Sequence, residues 1–191
     1  YQSDEILGYA PKPGTASRSQ RWYGDSLLYD VTYTIGPEGL RVSPPRQGGT
    51  PEACVLFFGD SFTFGDGLDD AQTLPYRVAE IGGGRFEVYN FGYRGYGPHQ
   101  MLSALEHGFV SSRPTHVIYS AIKDHVLRAA GRKEQSYHDP RYRLQPDGSV
   151  RYDGHFDDEK ILAAFRPGMR RQLAKSALYR WVMARDRGTS V

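Results

Sequence analysis

The stretch CVLFFGDSFTFGDGLDD, residues Cys54 to Asp70, decides the fold of this chain. It opens with five apolar residues and then turns abruptly at Gly59, Asp60 and Ser61. A short apolar run bounded by a turn signal is typical of a strand that is buried on both faces of a parallel sheet. Because ligands of open α/β folds bind beyond the carboxyl ends of such strands, the Ser61 hydroxyl is the first candidate functional group.

The residues after this stretch predict helices and strands in alternation. A helix is predicted from about Thr73 to Ile81, a second strand over Phe86 to Asn90, a second helix from Pro98 and a third strand over His116 to Ala121. Strands and helices that alternate over short connections are typical of a doubly wound, parallel α/β sheet. We therefore predict an α/β fold for residues 51–191.

Residues 1–50 are predicted to form a smaller region that packs on this core. Residues 1–20 show neither a helical nor a strand period, so we expect an extended arm. Apolar residues then alternate on either side of Gly36-Pro37-Glu38-Gly39, which predicts a hairpin over Leu28 to Val42. A second hairpin, inserted later in the chain, is predicted around Pro146-Asp147-Gly148.

The C-terminal stretch, Asp157 to Arg187, is predicted to form a basic amphipathic helix. Such a helix can lie on a membrane surface or on an acidic partner, but its commoner role is a crossover that packs an apolar stripe on the sheet. We favour the crossover. Because an α/β fold would then add another strand, we expect the sheet to be incomplete at Val191.

Composition narrows the functional classes. The 191 residues carry a formal net charge of +2 with Lys and Arg dispersed, which gives no argument for a nucleic-acid partner. The single cysteine excludes an internal disulfide and a Cys-pair zinc site, and no His-Glu-x-x-His, Walker or Rossmann pattern occurs. We predict no metal and no cofactor. Oligomeric state and compartment stay open, with an extracytoplasmic location slightly favoured.

The letters Gly-Asp-Ser-Leu occur at Gly24 to Leu27, where the context is wrong for a catalytic serine. This copy follows a polar and aromatic stretch rather than a buried strand, and a hairpin rather than a helix comes after it. Nothing would hold Ser26 at the rim of a sheet, so we predict that Ser61 is the functional serine.

A serine nucleophile needs a base, a group that orients the base, and hydrogen-bond donors for the oxyanion of the tetrahedral intermediate. The backbone N–H of Ser61, at a strand-to-helix turn, is one candidate donor. The N–H of Gly95, in the turn after the second strand, is another, because glycine lets a substrate approach the backbone closely.

Two blocks of the sequence carry a family resemblance. Phe58-Gly59-Asp60-Ser61-Phe62-Thr63 follows one apolar strand, and Asn90-Phe91-Gly92-Tyr93-Arg94-Gly95-Tyr96-Gly97 follows the next. Together they resemble the SGNH/GDSL hydrolase family. The resemblance implies a flavodoxin-like, three-layer α/β/α fold and activity as an esterase, a carbohydrate deacetylase or an O-acyltransferase. It also implies that Ser61 is the nucleophile and that Gly95 is an oxyanion donor.

The family's third block is altered in this chain. That block normally ends a strand with Gly-x-Asn-Asp, whereas this sequence has Ala121-Ile122-Lys123-Asp124-His125. Asp124 therefore stands where the asparagine donor is expected. Since an ionised carboxylate only accepts hydrogen bonds, Asp124 would have to be protonated, contact the substrate or serve a structural role.

The family's fourth block is not found. It places the catalytic Asp three residues before the catalytic His, and none of the six histidines here has that spacing. Asp153-Gly154-His155 is the nearest imitation, but it lies beside a hairpin and too early in the chain. Either the sequence ends before the Asp-His block, which we favour, or the protein is a pseudo-hydrolase that never had it.

The leading hypothesis is a serine-dependent ester hydrolase or O-acyltransferase that acts on acyl esters, most plausibly acetyl esters, of a carbohydrate. Its site residues are Ser61, Gly95 and Asp124. The alternative is a catalytically inactive domain of the same fold that binds a glycan or a protein. A third and less favoured hypothesis is membrane docking through the basic C-terminal helix.

Overall fold

In the computed structural model, the described residues are 1–46, 48–109, 114–131 and 138–156, and they form hairpins on either side of a central α/β segment. The strands are β1 (Gln2–Asp4), β2 (Gly8–Ala10), β3 (Thr15–Tyr23), β4 (Ser26–Ile35), β5 (Ala53–Gly59), β6 (Phe86–Gly92), β7 (His116–Tyr119), β8 (Pro140–Leu144) and β9 (Val150–His155). The helices are α1 (Ser61–Phe64), a 3-10 turn (Asp70–Gln72), α2 (Leu74–Gly82), α3 (Pro98–Glu106) and α4 (Asp124–Ala129).

The apolar run that begins at Cys54 forms the middle strand of a parallel sheet. Strands β6 and β7 pair with β5 on its two sides, so the order in the sheet is β6-β5-β7. Side chains of β5 alternate between two apolar clusters, with Leu56 and Phe58 in one and Val55 and Phe57 in the other. This burial on both faces, and the alternation of strands with helices, confirm the predicted α/β fold class.

Helices α2 and α3 cover opposite faces of the sheet. Ala79 of α2 belongs to the cluster of Val55 and Phe57, whereas Met101 of α3 belongs to the cluster on the other face. Both helices begin with the signals that the sequence provides. The Thr73 side chain accepts a hydrogen bond from the Tyr76 N–H in the first turn of α2. Pro98 is the first residue of α3, where the missing N–H of proline leaves no hydrogen bond unmade.

The prediction for residues 1–20 was wrong. They were predicted as an extended arm but contain the hairpin β1-β2 and part of β3. The predicted turn at Gly36 to Gly39 is present, since the Gly36 N–H donates to the Leu40 carbonyl oxygen at 2.8 Å and Ile35 bridges Arg41 antiparallel across it. The longer hairpin of this region, which was not predicted, pairs β3 with β4 and turns at Gly24-Asp25. No residue of β3 is buried, so the strand shows no alternation of polar and apolar residues. The alternation of apolar residues in β4 was predicted correctly, since Val31, Tyr33 and Ile35 are all buried.

Arg41 joins this N-terminal region to the α/β core. It forms isolated bridges with Ile35 and with Asn90 of β6. Its fully buried guanidinium donates to the carbonyl oxygens of Phe64 and Leu68 at 2.6 Å and to that of Gly65 at 2.8 Å. It also forms an ion pair with Asp70, at 3.0 Å. Arg41 therefore fixes the loop that follows α1.

The predicted later hairpin is present as β8 and β9, which pair antiparallel around Pro146-Asp147-Gly148. Contacts divide the chain into two units, Tyr1–His155 and Phe156–Val191. The predicted basic helix, Asp157 to Arg187, lies outside the described residues. Within the described ranges, no helix is long and apolar enough to cross a membrane.

Candidate active site

Ser61 lies at the carboxyl end of the central strand and is the first residue of α1. After β5 the chain forms β6, which pairs with one edge of β5, and later β7, which pairs with its other edge. The carboxyl end of β5 is therefore a topological switch point. Crevices at such points are where open α/β sheets bind their ligands. The turn itself is closed by Asp60, whose side chain accepts a hydrogen bond from the Phe62 N–H at 3.1 Å.

Two paired glycines let α1 pack directly on the sheet. Gly59 and Gly92 are partners across β5 and β6. A Cβ at Gly59 would lie 1.9 Å from Thr63 Oγ1 and 2.6 Å from Thr63 Cβ, and one at Gly92 would lie 2.4 Å from the Phe64 backbone nitrogen. These distances are far below van der Waals contact, so the position of α1, and with it Ser61, depends on both glycines.

Gly95 lies in the turn that follows β6. The Tyr96 N–H donates to the Tyr93 carbonyl oxygen at 3.2 Å, which closes a four-residue turn with Gly95 in third place. Gly95 has a φ of 83°, in the left-handed region that favours glycine over residues with a side chain. The predicted nucleophile and the predicted donor thus occupy turns at the ends of neighbouring strands.

Neither candidate oxyanion donor has an acceptor within the part of the chain that the structure describes. Among the described residues, no hydrogen bond uses the backbone N–H of Ser61 or of Gly95. The described residues that do bond to Ser61 are Gly65 and Asp66, whose N–H groups donate to its carbonyl oxygen. Within the same ranges, no hydrogen bond involves the Ser61 hydroxyl. The hydroxyl and the two N–H groups are therefore available to a ligand.

A buried ionic network lies behind Ser61. Arg128 Nη1 donates to Asp60 Oδ2 at 2.9 Å and to the Tyr96 carbonyl oxygen at 2.8 Å. His125 Nε2 lies 3.4 Å from the same Asp60 oxygen. Asp60 is fully buried, and Arg128 and His125 are nearly so. A single cation thus contacts the residue before Ser61 and the residue after Gly95.

His125 is not positioned as a base for Ser61. Its Nδ1 forms a hydrogen bond with the Tyr119 hydroxyl, and its Nε2 faces Asp60. Burial lowers the pKa of His125, and the negative charge of Asp60 opposes that shift. The same burial raises the pKa of Tyr119. His125 is therefore a neutral part of the buried network, and Arg128 supplies the positive charge that Asp60 needs.

Asp124, the third predicted site residue, begins α4 at the same edge of the sheet. Its side chain is 40% exposed, and its Oδ2 lies 3.9 Å from Arg128 Nη2. The carboxylate therefore borders the network that holds Asp60. An ionised Asp124 beside this cation would only accept hydrogen bonds, so its part in an oxyanion site stays a prediction.

The N-terminal hairpin supports the Gly95 turn from outside. The Tyr9 hydroxyl donates to the Arg94 carbonyl oxygen at 2.6 Å, and the Arg94 N–H donates to the Tyr1 hydroxyl at 3.2 Å. The Tyr96 hydroxyl in turn donates to the Tyr9 carbonyl oxygen. Burial raises the pKa of Tyr9 well above its ordinary value, so this hydroxyl stays protonated and can donate.

The other candidate serine and histidine lie in different settings. Ser26 is exposed and starts β4 next to the hairpin turn, as its context predicts. Asp153 forms ion pairs with Arg141 and Arg143, and these arginines lower its pKa. His155 contacts Tyr152 in the same hairpin.

One further acid and histidine lie together in the interior. His99 Nε2 lies 3.5 Å from Asp139 Oδ2, and both side chains are buried. Burial raises the pKa of Asp139, and His99 partly offsets that effect. A Cβ at Gly8 would lie 2.8 Å from Asp139 Oδ1, so the N-terminal hairpin packs closely over this pair.

The sequence reasoning missed the residues that surround Ser61 and Gly95. Asp60 was treated only as part of the turn, and Arg128 and Tyr9 were not considered. One local signal exists in the sequence, because His125 and Arg128 are three residues apart and residues at that spacing share a face once the segment forms the helix α4. Within the described part of the chain, no group of three or more His, Cys, Asp or Glu side chains could hold a metal ion. Comparisons with protein-family models and with curated proteins found no match.

Proposed function

We propose that this chain is a serine-dependent ester hydrolase or O-acyltransferase domain in which Ser61 is the nucleophile. The observation that carries the proposal is the combination at the ends of β5 and β6: a serine hydroxyl and two backbone N–H groups that have no acceptor among the described residues. An acyl-transfer site needs this set of groups, a nucleophile and donors for the developing oxyanion.

In the proposed reaction, the Ser61 oxygen attacks the ester carbonyl carbon while its proton passes to a base. The N–H groups of Ser61 and Gly95 stabilise the negative oxygen of the tetrahedral intermediate. The ester C–O bond then breaks, and the leaving alcohol takes the proton from the base. Water or a sugar hydroxyl attacks the acyl-serine in a second, equivalent step that restores the Ser61 hydroxyl.

The base and the substrate class rest on the resemblance to the SGNH/GDSL family. The expected base is a histidine oriented by an aspartate three residues before it, in a block that the present sequence lacks. The expected substrate is an acyl ester of a carbohydrate. A flavodoxin-like sheet is part of the same proposal, and the order β6-β5-β7 supports it, since flavodoxin-like sheets begin with the order 2-1-3.

The test uses the natural full-length protein and a serine-directed fluorophosphonate, followed by peptide mass spectrometry. We expect one adduct, on Ser61, and none in Ser61→Ala. Ser26→Ala is the matched control, because it removes a serine that also follows Gly-Asp but lies at an exposed turn, and it should react like the wild type. Hydrolysis of acetylated sugars should show the same pattern.

Absence of an adduct on Ser61 in the folded full-length protein would overturn the nucleophile assignment. It would favour the alternative function, a catalytically inactive domain that binds a glycan or a protein at the same edge of the sheet. Binding of unmodified oligosaccharides, measured by calorimetry on the same sample, would then separate the two ligand classes.

A further inference from the structure

We propose that Arg128 is a positioning residue that fixes the Ser61 turn and the Gly95 turn relative to each other. The catalytic part of this inference rests on the proposed function. The clamp, by which we mean the hydrogen bonds from Arg128 to Asp60 and to Tyr96, rests on contacts among described residues. Arg128 belongs to α4, outside the two sequence blocks that carry Ser61 and Gly95.

The geometry of the clamp is simple. One nitrogen, Arg128 Nη1, donates to the Asp60 carboxylate at 2.9 Å and to the Tyr96 carbonyl oxygen at 2.8 Å. The two acceptors share that nitrogen, so they lie within two hydrogen-bond lengths of each other. Asp60 directly precedes Ser61, and Tyr96 directly follows Gly95. Each acceptor is therefore one residue away from a proposed oxyanion donor.

Both acceptors are themselves rigidly held. The second oxygen of Asp60 accepts the Phe62 N–H, so a shift of this carboxylate would move the first turn of α1. Tyr96 is completely buried, its N–H closes the Gly95 turn, and its hydroxyl is bonded to the Tyr9 carbonyl oxygen. A shift of the Arg128 guanidinium would consequently displace both the Ser61 turn and the Gly95 turn, because each is hydrogen-bonded to it through an adjacent residue.

The burial of the pair makes the clamp strong. The Asp60 side chain is 1% exposed and that of Arg128 is 10% exposed. Away from water, a charge-assisted hydrogen bond is stronger than a neutral one, and a carboxylate left without its partner is heavily penalised. Gly97 allows α4 to approach closely, because a Cβ there would lie 3.2 Å from Arg128 Cβ and 2.7 Å from His99 Cε1.

Catalysis depends on this spacing because the oxyanion must meet both N–H groups at once. Loss of a single oxyanion donor costs about 100-fold or more in kcat, and a misplacement of about 1 Å has a similar effect. Arg128 has no role in substrate binding in this proposal. Its removal should therefore lower kcat and leave KM nearly unchanged.

The experiment compares Arg128→Met, Arg128→Lys and Asp60→Asn with the wild type. The control is Arg143→Met, which removes an exposed arginine that pairs with Asp153. Amide hydrogen exchange is measured at Phe62 and Tyr96, whose N–H groups close the two turns, and at Leu56 in the centre of the sheet. Steady-state esterase kinetics are measured on the same full-length proteins.

We expect Arg128→Met to speed exchange about 10-fold at Phe62 and Tyr96, with Leu56 and the control variant unchanged. We expect kcat to fall about 100-fold with KM within about twofold, and Arg128→Lys to recover part of that loss. Asp60→Asn, which keeps the shape of the side chain, should loosen the same two turns if Arg128→Met does not fold.

Unchanged exchange at Phe62 and Tyr96 in the folded variants would overturn the clamp. Unchanged kcat, or a fall in kcat that Arg128→Lys does not recover at all, would overturn its role in positioning. A wild type that has no esterase activity and forms no phosphonate adduct would instead refute the proposed function. The exchange data would still decide whether Arg128 holds the two turns together.

Discussion

Gly92→Ala tests whether the glycine pair beneath α1 sets the position of Ser61. The added Cβ would lie 2.4 Å from the Phe64 backbone nitrogen and 2.7 Å from the Thr63 carbonyl carbon. These neighbours are main-chain atoms, so no side-chain rotation can relieve the clash. The backbone of Gly92 is not in the left-handed region, and alanine is compatible with its conformation. The destabilising contribution therefore comes from displacement of α1.

The expected magnitude follows from two opposing contributions. Overpacking a close-packed interior costs about 1–3 kcal/mol, and a contact this short belongs at the upper end. Replacement of glycine by alanine restricts the unfolded chain, which returns about 0.4–1 kcal/mol. We expect a net loss of about 2 kcal/mol in the free energy of unfolding. Because α1 must shift, the rate of phosphonate labelling at Ser61 should fall about 100-fold.

Urea unfolding and the labelling rate are measured on the same samples. Gly36→Ala is the matched control, because a Cβ there would have neighbours only at 3.5 Å or beyond, which is ordinary contact. Its stability and labelling rate should stay close to those of the wild type. If Gly92→Ala behaves like Gly36→Ala in both assays, the glycines do not determine the position of Ser61.

Three further predictions concern the surroundings of the site. Tyr9→Phe removes the hydroxyl that donates to the Arg94 carbonyl oxygen, and should cost about 1 kcal/mol in urea unfolding, since one partly buried hydrogen bond is lost. Arg41→Met leaves the Asp70 carboxylate and three loop carbonyl oxygens without their buried donor, and should cost about 3–5 kcal/mol in the same assay. Burial lowers the pKa of His125, so the folded protein binds fewer protons there than the unfolded chain. Stability should therefore fall as pH is lowered through about 6.5, and this component should disappear in His125→Gln.

Each of these predictions can fail separately. A Tyr9→Phe protein as stable as the wild type would show that the N-terminal hairpin does not hold the Gly95 turn. A loss below about 1 kcal/mol in Arg41→Met would mean that water replaces the buried arginine. For His125, the informative quantity is the difference between the wild-type and variant pH profiles, and a constant difference between pH 8 and pH 5 would contradict the assigned pKa direction.

The central α/β segment was predictable because burial on both faces leaves a strong signal. The five apolar residues from Cys54, the glycines that end α2 and the proline that opens α3 each indicate one structure, and the observed elements agree within a few residues. The later hairpin was predictable for a different reason, since its turn residues and alternating side chains are local features of the sequence.

The rest depends on contacts between distant parts of the chain. Strand β3 exposes both faces, so it has no alternating pattern, and only its pairing with β4 defines it. The clamp joins Asp60 to Arg128, which are 68 residues apart. Arg41 is a charged residue whose burial no local pattern indicates. Ser61 and Gly95 could therefore be predicted as site candidates from the sequence, whereas the side chains that hold their two turns could not.

Covalent labelling shows whether the Ser61 hydroxyl is the nucleophile of this domain. Full-length protein is treated with a fluorophosphonate, and the adduct is located by peptide mass spectrometry against Ser61→Ala and Ser26→Ala. If Ser61 is the nucleophile, we expect a single adduct on Ser61, retained in Ser26→Ala and lost in Ser61→Ala. Two results would contradict the assignment of Ser61 as the nucleophile. One is a folded protein that forms no adduct on Ser61, and the other is a Ser61→Ala variant that hydrolyses acetyl esters as well as the wild type does.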